Sequence, residues 1–182
     1  MLLAFFLASI TIPFTAATFT DGDFVVLRCR EAASTDPNFT YEFCLQCFAP
    51  YIHNVTTMEE LVGVSMKLTA RNATRIIKRI SRMLITRGAA MDPYCRHALG
   101  DCLELYADAK GELNDAAKDV FEYRDCFKAN VEVSAAMDSA STCEDGFRER
   151  RYRGDHPLAV ENEVFFRLTA VLLAFINMLH YN

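Results

Sequence analysis

Between Leu99 and Val120 a small or apolar residue returns every three or four positions without a break: Leu99, Cys102, Tyr106, Ala109, Leu113, Ala116 and Val120. Only a helix gathers such positions on one face, and a seam that long must be covered by other helices. The alternation recurs in Ala129, Val133, Ala136, Ala140, Cys143 and Phe147, which predict a helix starting after Asp125. Upstream, Val62, Met66, Ala73, Ile77, Ile80 and Leu84 predict one face of a helix from about Met58 to Arg87, stopped by Gly88. Downstream, Phe165, Leu168, Leu172, Phe175 and Leu179 predict a last helix over about Val160 to Leu179. Asp92 and Pro93 supply an N-cap and first-turn pair for the Leu99 helix. Strand alternation is nearly absent, so the fold class expected is all-α, with the four seams forming an up-and-down bundle.

One cysteine decides what kind of helical protein this is. In "SAAMDSASTCEDGF", Ser134 to Phe147, Cys143 falls on the third seam and invites three readings: nucleophile, metal ligand or half of a disulfide. A nucleophile needs exposure and a histidine, and a seam position denies the exposure. Glu144 and Asp145 make no acid–base pair, because adjacent helical residues point about 100° apart; they read as a solvated helix end. Cys102 and Cys143 lie at comparable distances either side of a short loop near Tyr123, both facing inward, so a disulfide between them clamps two antiparallel helices. In the chain-entropy account it stabilises by about 4 kcal/mol. Cys44 and Cys47, in "CLQC", have redox or zinc spacing, but the only other Cys/His cluster is "CRH" at Cys95 to His97. Disulfide or free-thiol use is therefore preferred for them. The histidines His53, His97, His156 and His180 are scattered, and neither a Glu-x-x-His pair nor a phosphate-cradling glycine loop occurs. The expectation is a protein that is not an enzyme, with no cofactor and no metal.

The opening "MLLAFFLASITIPFTAATFT" carries no charge before Asp21, and Pro13 interrupts its apolar run. It reads as a signal peptide over residues 1–17, which leaves about 165 residues, 18–182, for a single domain. Export makes disulfides the default use of the seven cysteines. The sequons at Asn38, Asn54 and Asn72 are candidate N-glycosylation sites in such a protein. A net charge of −5 argues against nucleic acid as a partner. Arg71, Arg75, Lys78 and Arg82 nonetheless form a basic stripe at helical spacing, and Arg148, Arg150, Arg151 and Arg153 cluster after the third helix. Such runs are solvated faces, or docking surfaces for an acidic protein or polymer. "RGD" at Arg153 to Asp155 is a bare three-letter match. The closing "VFFRLTAVLLAFINMLHYN" is broken by Arg167, Asn177 and His180, which favours a buried core helix over a membrane span.

Cys29 and Cys44 around "DPNFTYEF", then "DCLELYADAK", "ANVEVSAAMDSASTCEDGF" and "ENEVFFRLTAVLLAFINML", resemble the plant invertase and pectin methylesterase inhibitor family, in its pollen-allergen-like branch. The likeness runs from about Leu27 to Leu179. It implies a four-helix bundle preceded by a helical hairpin, with disulfides Cys29–Cys44 and Cys102–Cys143. It also implies a secreted cell-wall protein that binds over the substrate cleft of pectin methylesterase first, or of acid invertase (beta-fructofuranosidase) in the wall or vacuole. A non-inhibitory wall or pollen binding module is the alternative of another class. Invertase inhibitors of one kind carry Pro-Lys-Phe at the start of the third core helix; the corresponding tripeptide here is Cys126-Phe127-Lys128. Candidate target-binding residues are therefore Asp125, Phe127 and Lys128, together with the stripe Arg71, Arg75, Lys78 and Arg82. The stripe also allows weak contact with acidic wall polysaccharide. Cys47, Cys95 and Cys126 lie outside the family's four cysteines and stay unassigned.

Overall fold

The computed structural model describes residues 23–149, 154 and 156–180; the leader expected over 1–17 lies outside them. Two short helices, α1 (Phe24–Thr35) and α2 (Tyr41–Phe48), form a hairpin, and Thr40 caps α2 by accepting from the Phe43 N–H at 3.2 Å. A single 3₁₀ turn, Ala49–Tyr51, leads to the bundle. Helix α3 (Met58–Arg87) begins with a capping box in which Thr57 and Glu60 bond each other's backbone N–H groups. Helix α4 (Pro93–Lys118) starts at the Asp92–Pro93 pair, with the Asp92 carboxylate accepting from the Cys95 N–H at 3.0 Å. A π-helical turn, Asp119–Tyr123, ends it, followed by α5 (Cys126–Glu149) and α6 (Ala159–His180).

Each long helix packs against the next, and α6 closes back on α3, giving the up-and-down four-helix bundle; α1 lies against α6. Every predicted seam residue of α4 and α5 is buried, Val120 in the π-turn included. Across the mainly apolar core the Tyr106 hydroxyl donates to Asn162 Oδ1 at 2.8 Å, while its ring meets Phe165 edge-on, centroids 5.1 Å apart. No helix among the described residues is long and apolar enough to cross a membrane.

Helix α3 corrects its predicted face. Ile76 is the buried residue and Ile77 only packs at the rim, as does Leu84. The inward positions between Val62 and Ala73 are Ser65, Met66 and Thr69, and the Thr69 hydroxyl is satisfied by donating to the Ser65 carbonyl at 2.9 Å. Two small polar residues thus hold core positions, and over 30 residues an apolar stripe of period 3.5 drifts off a helix of period 3.6. Gly88 does end α3, but with helical dihedrals (φ −55°, ψ −37°) rather than as a left-handed cap. In α6 the predicted face is buried from Phe165 to Phe175, and Leu179 is partly covered.

Candidate functional site

The chain turns between α4 and α5 on residues that hold each other rather than on glycine. Arg124 takes the left-handed conformation (φ 57°), and the N–H groups of Arg124 and Asp125 both return to the Asp119 carbonyl. Asp119 itself is buried, its side chain 2% exposed, and its Oδ1 takes Lys128 Nζ at 3.0 Å. That hydrogen bond, then the charge of Asp119, raises the Lys128 pKa above its ordinary value. Asp125 caps α5, accepting from the Lys128 N–H at 2.9 Å. Of the three sequence-nominated residues at this corner, Asp125 and Lys128 are therefore committed to building it. Phe127 is the one left to meet something else, with 77% of its surface exposed.

Phe127 does not stand alone. Val131, one turn along α5, is exposed, and so are Phe121 and Tyr123 in the π-turn. The Phe121 ring lies over α3, where a Cβ on Gly63 would stand 3.5 Å from Cζ. Beside Phe127, a groove lined by Cys126, Asn130, Ser134, Asn177 and His180 runs between α5 and α6. Phe121, Tyr123 and Val131 were missed by pattern reading, although the signal was present: large apolar residues lying off every seam.

The cysteines divide cleanly. Cys29–Cys44 closes the hairpin and Cys102–Cys143 joins α4 to α5. Cys44 is thus bonded away from its "CLQC" neighbour, and burial pushes the Cys47 thiol up to about 11, far from a reactive thiolate. Cys95, at the start of α4, and Cys126, at the start of α5, sit at opposite ends of the bundle outside both disulfides. No cluster of three or more His, Cys, Asp or Glu placed to hold a metal occurs among the described residues.

Two further groups have defined places. Glu144, expected as a solvated helix end, reaches inward to Asn162 Nδ2 at 3.4 Å and toward His156 Nε2 at 3.8 Å, whereas Asp145 pairs outward with Arg148. Arg71, Arg75, Lys78 and Arg82 lie exposed along the outer side of α3 and enter no ion pair among the described residues. Acid collects on α4 and α5 instead: the Glu112 carboxyl is pushed up by burial and then by Glu132, Asp108 and Asp138. Asn38 and Asn54 are exposed ahead of α2 and α3, while Asn72 is half-buried within α3 with its Oδ1 enclosed. Arg150, Arg151, Arg153 and Asp155 lie outside the described residues.

The geometry is that of a stapled bundle with an apolar corner. Residues 23–175 match the family model described as "Plant invertase/pectin methylesterase inhibitor". A protein of Platanus orientalis named "Putative invertase inhibitor" is 35% identical over 159 residues, 86% of this chain and 90% of its own. "Pectinesterase inhibitor 12" of Arabidopsis thaliana is 32% identical over 156 residues, 83% of this chain and 84% of its own. A pectin methylesterase inhibitor from Arabidopsis thaliana superposes with a TM-score of 0.61 at 25% identity, covering 88% of this chain and 98% of that structure. A mutant form of such an inhibitor from Arabidopsis gives 0.71 at 23% identity over 83% and 96%, which shows a shared fold. The chain belongs to the plant invertase/pectin methylesterase inhibitor family.

Proposed function

We propose that this protein is a secreted inhibitor that docks its α4–α5 corner over the substrate cleft of a plant cell-wall enzyme, pectin methylesterase being the first target. The family consists of enzyme inhibitors rather than enzymes. The observation that carries the docking site is Phe127, 77% exposed beside Phe121, Tyr123 and Val131 on two helices clamped by Cys102–Cys143. Exposed aromatic anchors on a rigid frame are what a tight interface uses, because little ordering entropy is lost on binding. The Lys128–Asp119 pair and the Asp125 cap hold Phe127 in place. Acid invertase is the second target, favoured by the likeness to the Platanus protein so named. Secretion supports glycans at Asn38 and Asn54, which are exposed, in preference to Asn72.

A paired assay against one pectin methylesterase and one acid invertase tests this. Inhibition is expected to track a reversible stoichiometric complex, with no covalent change in the target. Phe127→Ala is expected to weaken it by about 2 kcal/mol, roughly 30-fold, mainly through faster dissociation. Silence against both enzymes would leave a non-inhibitory binding module, and an unchanged constant for Phe127→Ala would move the interface elsewhere.

A further inference from the structure

The outer face of α3 is built unlike the corner. Lys67, Arg71, Arg75, Lys78 and Arg82 recur at intervals of four, four, three and four residues, all exposed, along about 22 Å of helix. Arg79, one position off this line, is paired with Glu161 at 3.0 Å and donates to the Pro157 carbonyl at 3.4 Å, while the five on the line enter no ion pair among the described residues. The carboxylates of α3, Glu59 and Glu60, are confined to its first turn. A shallow groove follows the line, with Ala70 and Thr74 between Lys67, Arg71, Arg75 and Lys78. The Thr74 hydroxyl already donates to the Ala70 carbonyl, and no aromatic or large aliphatic side chain lines the groove.

A protein interface of useful strength is centred on buried aromatic or aliphatic anchors, and this groove has none. Evenly spaced, unpaired cations over a smooth floor suit a linear polyanion, whose charges repeat along its length as the stripe's do. Because the whole molecule carries −5, attraction to such a polymer has to come from a local basic face such as this one and not from overall charge. We propose that the α3 stripe binds a polyuronate chain, the carboxylate polymer left behind when methyl esters are removed from pectin. The choice of carboxylate over other anions rests on the esterase reading above, since that reaction creates the polymer. Phe121 of the corner rests at Gly63, one turn before Lys67, but Arg75, Lys78 and Arg82 lie more than three turns along α3 beyond it, so one molecule can hold the polymer on that end while the corner engages an enzyme. The inhibitor then accumulates where de-esterification has already occurred.

Affinity gel electrophoresis of the protein alone, with no enzyme present, tests the stripe. Mobility is expected to be retarded by polygalacturonate in the gel, not by highly methyl-esterified pectin, and the retardation is expected to fade with added salt. The double variant Arg75→Glu/Lys78→Glu is expected to weaken it roughly tenfold, whereas Arg96→Glu/Lys110→Glu on α4, with the same net charge change, is expected to keep it. Thermal melts confirm that both variants fold. Equal retardation by both polymers, equal loss in both variants, or retardation by dextran sulfate without polygalacturonate overturns the proposal. Failure of the enzyme-docking reading shows separately, as Phe127→Ala losing no inhibition while retardation stays intact.

Discussion

His156 lies against the Phe147 ring, centroids 4.2 Å apart, and its Nδ1 accepts from the Leu158 N–H at 3.1 Å. Burial lowers its pKa from the ordinary 6.5, and the nearby carboxylates of Glu144 and Glu161 oppose that without overcoming it. The fold therefore favours neutral imidazole. Its contribution to stability is complete above the unfolded value and is lost as pH falls from about 6.5 toward the folded pKa. An NMR titration is expected to place His156 below 6.5, and Glu144→Gln is expected to move it lower still and to steepen the acid loss of stability. An upward shift in Glu144→Gln would show that Glu144 does not act on the imidazole. Little of this was legible in the sequence. A glutamate after a seam cysteine reads as solvent-facing, and Asn162 carries no mark that Tyr106 and Glu144 both reach it across the bundle.

Helices α4 and α5 were legible almost residue by residue, because their core positions are apolar or small throughout and each start carries an aspartate cap. Helix α3 was legible in extent but not in rotation, since Ser65 and Thr69 occupy core positions with a polar letter. The π-turn at Asp119–Tyr123 carries no seam residue beyond Val120, so the structure was needed to set Phe121 and Tyr123 beside the sequence-nominated Phe127. The pair α4–α5 also carries the clearest stability test. Cys102 and Cys143 are bonded across 41 residues, and Cys143→Ser is expected to cost about 2 to 5 kcal/mol in urea unfolding. Cys102→Ser is expected to cost a matching amount, and the double variant no more than either alone. Additive losses would mean that the two sulfurs act independently.

At the scale of the whole molecule the disulfides are placed within substructures and not between them. Cys29–Cys44 ties α1 to α2, and Cys102–Cys143 ties α4 to α5. Nothing covalent beyond the chain itself fastens the hairpin to the bundle, so that joint depends on packing. Its centre is Phe48, wholly buried at the end of α2 and set edge-on to Phe175 of α6 with centroids 5.5 Å apart; Ile52 and Val55 are buried in the same core. A unit closed on itself by its own disulfide, and joined to the bundle by the packing of α1 on α6, the Phe48 contact and Arg167 over the Phe43 ring, can open without unfolding its neighbour. Native-state hydrogen exchange is therefore expected to show α1–α2 amides opening at a lower free energy than those of α4 and α5. Phe48→Ala, a loss of about 3 to 5 kcal/mol at a fully buried ring, is expected to fall mainly on that hairpin step while protection around Cys102 and Cys143 persists. Uniform loss of protection across all helices would mean instead that hairpin and bundle unfold as one cooperative unit, with Phe48 belonging to a single shared core.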